Sequence, residues 1–231
     1  MNHFVVSAFV VFLCALGAGI YFVWRQRSKA EWYFGLFWFS VAFWTLFVSA
    51  QFHLFKWISG FTWGWYLHLG CIFVPVLFLH FALHLTNHHK DYALVMKLAY
   101  GIATLFILLN TFTDWFTQET IYRDRYAYPK PAVLYPLYIL FFQVIGFWTA
   151  FLLFKWSHTL PAKSRKLLYL FLTVHTMAYI GSMDNYLIMY DIRIPTLYPY
   201  GLYLILPYVF FGSYAIRCLA TKRLNASDSA S

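Results

Sequence analysis

Three histidines, His80, His84 and His88, recur at intervals of four. On a helix that spacing puts them on one face. A pair of imidazoles one turn apart can grip a metal ion, and neutral imidazole is a common ligand. With His175 as a further axial group, the same face would suit a haem. The pattern is incomplete, however. No carboxylate accompanies the histidines as a zinc-protease motif requires. His84 and His88 also fall where the chain turns polar, and a histidine needs no special reason to sit at such an edge. A histidine-based metal enzyme or electron carrier therefore stays an alternative, and the sequence implies no cofactor and no metal.

A second set of polar residues interrupts long apolar stretches. His68 lies on the same stretch as His80. Gln143 sits near the middle of another, Asn110 and Asp114 stand one turn apart at the end of a third, and Asp184 and Asn185 near the end of a fourth. In hydrocarbon such groups are costly, so each needs a partner, water or a function. Two groupings follow. His68, Asn110, Asp114, Asp184 and Asn185 gather at one end of the apolar stretches, with Trp65 and Tyr203 as walls, and form a candidate ligand pocket. His80, Gln143 and His175 form a candidate polar switch between helices.

The elements that must hold these residues are membrane helices. Of 231 residues, 62% are hydrophobic and 11% charged, against roughly 25% charged in an average soluble domain. Seven runs approach the roughly 20 apolar residues needed to cross a bilayer: Phe4–Trp24, Trp32–Leu54, Thr62–Thr86, Ala93–Thr113, Ala132–Phe154, Leu167–Ile188 and Tyr198–Ile216. None alternates as a membrane strand does. The fold class expected is all-α, a polytopic membrane bundle of about seven transmembrane helices over residues 1–219, with residues 220–231 a short, polar, disordered tail.

Orientation follows the basic residues. Arg25, Arg27, Lys29, Lys90, Lys97, Lys155, Lys163, Arg165, Lys166, Arg217, Lys222 and Arg223 fall in the alternate segments that include the C-terminus; Lys56, Arg123, Arg125, Lys130 and Arg193 fall in the others. That is 12 of 17 on one side. The N-terminus is expected outside and the C-terminus in the cytoplasm. The formal charge of +9 sits in short clusters between apolar runs, which marks helix ends and not a nucleic-acid surface. Cys14, Cys71 and Cys218 are far apart and form no metal or disulfide pattern.

Trp57, Trp63, Trp65, Tyr66, Trp115, Tyr198, Tyr200 and Tyr203 crowd the proposed outer interface, as an anchoring belt does. The segment Asp114–Pro131 mixes charges with tyrosines and suits a structured cap over the bundle mouth. Pro75 and Pro207 each fall inside a run and are expected to kink it. No run contains the mid-span lysine that a retinal Schiff base requires. The chain shows no internal repeat with paired broken helices, which counts against a transporter.

Five stretches carry a resemblance: FWFSVAFWTLFVSAQF (Phe37–Phe52), FVPVLFLHFALHLT (Phe73–Thr86), YPKPAVLYPLYILFF (Tyr128–Phe142), DNYLIMYDIRIPTLYPYG (Asp184–Gly201) and VFFGSYAIRCL (Val209–Leu219). In this order and spacing the chain resembles the N-terminal seven-helix sensory region of bacterial histidine kinases and some diguanylate cyclases. The resemblance implies a bacterial inner-membrane sensor that binds a small-molecule or lipid ligand. The chain departs from that plan in that only Ala220–Ser231 follows the last run, too little for a kinase or cyclase domain. Either the output is a separate histidine kinase or another cytoplasmic protein, or the chain is a bundle severed from its output domain; the chain itself is expected to be non-enzymatic.

Overall fold

In a computed structural model, the described residues are 3–25, 27–50, 60–123, 126–192, 194 and 199–228; residues 60–65, 120, 122, 123, 126, 127, 184 and 221–228 are described in backbone only. Trp57 and Tyr198 lie outside the described residues, and the side chains of Trp65 and Asp184 lie outside the described side chains.

Among the described residues the chain is an all-α bundle with one small hairpin. It runs α1 (His3–Arg25), α2 (Lys29–Ala50), α3 (Gly60–Thr86), α4 (Ala93–Phe112), β1 (Thr117–Arg123), β2 (Tyr126–Pro131), α5 (Tyr135–Ser157) and α6 (Ala162–Leu187). A seventh rod follows, built of a 3-10 turn (Gly201–Leu204), α7 (Ile205–Pro207), a π turn (Tyr208–Gly212) and α8 (Ser213–Asp228). Helical backbone thus continues past Ala220, where the sequence reading begins a disordered tail.

Among the described residues six helical stretches are long and apolar enough to cross a membrane: His3–Arg25, Lys29–Ala50, Tyr66–Thr86, Ala93–Phe112, Tyr135–Ser157 and Gly201–Ala220. The chain is a membrane protein on that ground. α6 is 26 residues long, about 39 Å at 1.5 Å per residue. Lys163, Arg165 and Lys166 at its start and Asp184 and Asn185 at its end dilute its apolar character.

The outward faces show what solvates the bundle. On α5, Leu137, Leu140, Val144, Phe147 and Phe151 are all exposed, Phe147 at 64%. Their spacing of three and four makes one continuous apolar stripe. On the opposite face Tyr135, Tyr138, Phe142, Ile145, Thr149 and Leu153 are buried. α4 repeats the pattern from Leu94 to Phe112, the latter 77% exposed. Water would penalise stripes of this length, whereas lipid tails do not.

α2 and α3 are the most buried spans and form the centre. α1 packs on α2, α2 on α3, and α3 on α4 and α5; α6 packs on α5 and on the seventh rod. Glycines set the closest crossings. A Cβ at Gly70 would stand 2.6 Å from the Trp44 nitrogen and 2.9 Å from its Cα, and Ser40 donates across the same crossing to the Gly70 carbonyl at 2.6 Å. At Gly181 a Cβ would run into the Gly201 carbonyl and Leu204, so α6 lies directly against the seventh rod.

The segment 117–131 folds as an antiparallel hairpin, with Ile121 opposite Tyr128 and Arg123 opposite Tyr126. Its Thr, Ile and Tyr residues favour a pleated strand, and Pro129 and Pro131 are tolerated because a two-stranded ribbon consists only of edges. Phe116, Thr117 and Tyr128 are buried, so the hairpin packs down on α3 and caps that end of the bundle.

Candidate functional site

The capped end carries two buried hydrogen-bonded links. His68, on α3 and 1% exposed, lies 3.1 Å through Nε2 from the Tyr135 hydroxyl of α5. That hydroxyl donates to Met189 Sδ at 3.2 Å in the turn after α6. The second link runs from β1 to α4: Thr117 Oγ1 donates to Asn110 Oδ1 at 2.9 Å, both residues being 1% exposed. Phe116 stands between the two, its ring edge-on to His68 at 5.1 Å and against Phe106 at 5.7 Å.

Of the sequence-derived pocket, then, Asn110 latches the hairpin to α4 and His68 ties α3 to α5. Asp114 is exposed in the turn after α4. Tyr203 is half-buried in the 3-10 turn. Asn185 is buried and donates from Nδ2 to the Ser182 carbonyl at 3.3 Å, while its Oδ1 finds no partner among the described residues.

The histidines of α3 form a tier at the opposite end. His80 lies 2.9 Å through Nδ1 from the Tyr100 hydroxyl and stacks on Tyr33 at 3.5 Å. His84 stacks on His80 at 5.1 Å and on His89 at 4.4 Å. The spacing of four names His88 as the third member, but the helix ends first. Asn87 takes a left-handed φ of 65°. His88 N–H then reaches back to the Leu83 carbonyl at 2.9 Å and Asn87 N–H to the His84 carbonyl at 3.3 Å. This is a Schellman stop, and the chain reversal it makes swings His89 onto the stack. Among the described residues no three His, Cys, Asp or Glu side chains are placed to hold a metal ion.

His80, Gln143 and His175 do not meet. His80 faces Tyr33 and Tyr100, whereas His175 stacks on Phe78 at 4.2 Å and meets Tyr208 edge-on at 5.1 Å. Gln143 is half-buried on α5.

His175 instead belongs to a cavity in the bundle core, of about 60 Å³, whose walls come from α2, α3, α5, α6 and the seventh rod. Trp38, Cys71, Phe142, His175, Tyr179 and Tyr208 are among its lining residues. That volume has room for on the order of four waters. The lining is aromatic and apolar, with an exception that matters. Trp38 Nε1, His175 Nδ1, Tyr179 Oη and Tyr208 Oη are buried and have no hydrogen-bond partner among the described residues. Trp38 is 0% and Tyr208 2% exposed. The four rings are neighbours: Trp38 to Tyr208 at 4.9 Å, Tyr208 to His175 at 5.1 Å, His175 to Tyr179 at 6.4 Å. Leaving a buried donor unsatisfied costs about 1–3 kcal/mol, so a group of four around one space favours an occupant.

Sequence reasoning passed over Trp38, Tyr135, Tyr138, Tyr179 and Tyr208. A signal was present. Belt tyrosines and tryptophans belong at the ends of spans, and Trp38, Tyr179 and Tyr208 stand well inside their helical stretches, where a polar tip must find something to bond. No protein-family model, curated protein or solved structure matches the chain.

Proposed function

We propose that the chain is a sensor of a bacterial inner membrane, with seven helices crossing the bilayer, the N-terminus outside and the C-terminus in the cytoplasm. It detects a small molecule arriving from outside or from the lipid and passes the change to a separate cytoplasmic signalling protein, a histidine kinase or similar output, without catalysis of its own. The basic residues beside Lys163 and Arg217 support the orientation. The sequence resemblance to the seven-helix sensory region of histidine kinases supports the class.

One observation carries the reading. The cavity wall and the least regular helix are the same element. Ile205 and Tyr208 line the cavity, and between them stands Pro207, with a 3-10 turn before it and a π turn after it. Proline withholds one backbone donor and crowds the carbonyl four residues back, which is why the ladder shifts here. Relaxing a π turn to α geometry moves the following helix by one residue, a rotation of about 100°. An occupant that bears on Tyr208 acts at the point where such a shift costs least. The rotation would be delivered to α8 and its basic face at Arg217. This is a two-state element biased by a ligand.

The test is a transcript comparison of host cells carrying the chain, lacking it, or carrying Pro207→Ala. The expected result is a response lost on deletion and locked, on or off, by Pro207→Ala. Altered uptake or a missing metabolite with unchanged transcription would overturn the sensor reading in favour of a transporter or enzyme.

A further inference from the structure

We propose that the core cavity receives the oxygen end of a lipophilic carbonyl compound, a ketone, ester or quinone oxygen, whose apolar remainder lies along the bundle. The inference deepens the sensor reading by naming the class of its signal, and it rests on that reading only for what occupancy does.

The chemistry of the wall selects the ligand. Trp38 Nε1 can only donate a hydrogen bond, and a tyrosine hydroxyl or an imidazole N–H can donate as well. These are the unpartnered groups, on Trp38, Tyr208, Tyr179 and His175. Around them the lining is apolar and aromatic, with Phe78 flat against His175 at 4.2 Å. All four groups can donate and Trp38 Nε1 can do nothing else, so an acceptor oxygen satisfies each of them without a proton of its own. The cavity of about 60 Å³ is well under the roughly 150 Å³ of an engineered apolar protein cavity that binds benzene. It therefore holds a carbonyl and its immediate substituents, not a whole ring system.

The route is lateral. Tyr179 lines the cavity and also packs on Phe147 at 5.4 Å, a ring that is 64% exposed on the lipid-facing stripe of α5. Gly146 beside it presents no side chain, and a Cβ there would touch the Tyr179 ring at 3.6 Å. Tyr179 thus joins the lipid-facing surface at Phe147 to the donor cluster of which it is a member.

The full chain in dodecyl maltoside, a detergent without carbonyl groups, tests the assignment. The probes are 2-undecanone and undecane, which share an apolar chain and differ in the oxygen. The readouts are tryptophan fluorescence, since Trp38 and Trp44 line the cavity, and the thermal unfolding midpoint. The ketone is expected to change the fluorescence and raise the midpoint, and the alkane at equal concentration to do neither. Tyr208→Phe keeps the ring and removes one donor. It is expected to fold at least as well as the parent when empty and to weaken ketone binding about fivefold, the worth of one neutral hydrogen bond. Equal effects of ketone and alkane, or ketone binding unmoved by Tyr208→Phe, would overturn the proposal and leave a cavity filled by water. Ketone binding without any transcriptional response would leave this assignment standing and count against the sensor reading instead.

Discussion

Single residues decide whether the polar groups of this bundle are structural or available. His68 and Asn110 are committed: each is buried and hydrogen-bonded to a residue that holds the cap or its neighbours in place. Asn110→Leu leaves the Thr117 hydroxyl without that acceptor and should cost about 1–3 kcal/mol, read by unfolding in detergent. Because the two groups share one bond, adding Thr117→Val should cost less than the sum of the single changes. Strict additivity would show that the pair is not coupled. The contrast with the core cavity is direct, since removing a hydroxyl there relieves a cost and removing one here creates it. The sequence announces His68, Asn110 and His175 but not which of them are committed. His68 and His175 are both histidines within apolar runs. Only the packing puts His68 against a tyrosine hydroxyl and His175 against a phenylalanine ring beside a void.

At the scale of elements, the helices were legible because lipid demands long apolar runs, and the hairpin was not because it is too short and too polar to show a period. What the runs cannot display is how closely two helices approach. Gly70 and Gly101 are both mid-helix glycines by sequence. A Cβ at Gly70 meets the Trp44 backbone at 2.6–2.9 Å, whereas one at Gly101 meets nothing within 4 Å. Gly70→Ala should therefore push α2 from α3, lengthen the Ser40 bond, and destabilise by about 1–3 kcal/mol as overpacking does. Gly101→Ala should be neutral or stabilising by up to about 1 kcal/mol, the helix propensity gained. Equal effects of the two in detergent unfolding would mean that the α2–α3 crossing is not tight. The end of α3 supplies a second case. Asn87 is the left-handed stop that brings His89, and not His88, over His84. Asn87→Gly keeps that geometry and should preserve stability. Asn87→Val, a β-branched residue at positive φ, should destabilise by about 1–3 kcal/mol and loosen the histidine tier, seen as changed His84 and His89 ring resonances.

For the whole molecule the open question is α6, and the answer fixes every side assignment. Six stretches satisfy length and apolarity outright; α6 satisfies length while carrying three cations in its first turns and an Asp-Asn pair near its end. Its packing argues for a full crossing. Gly181 lies against the Gly201 carbonyl, and Ala178, Tyr179 and Ser182 wall the core cavity together with α2 and α3. A helix lying on the membrane surface could not contribute its middle to that core. On a full crossing the polar ends would fall at opposite interfaces, and the proposed orientation puts Lys163 to Lys166 inside and Asp184 outside. Cysteine labelling tests it. In a background with Cys14, Cys71 and Cys218 replaced by serine, single cysteines are placed at Glu119 on the hairpin, at Thr159 between α5 and α6, and at Asp191 after α6. A membrane-impermeant maleimide applied to intact spheroplasts should label Glu119→Cys and Asp191→Cys and spare Thr159→Cys until the membrane is opened. Labelling of Thr159→Cys together with Glu119→Cys would remove α5 as a crossing, and protection of Asp191→Cys would remove α6. Either result would invert the face on which α8 ends, and with it the side to which a shift at Pro207 could be reported.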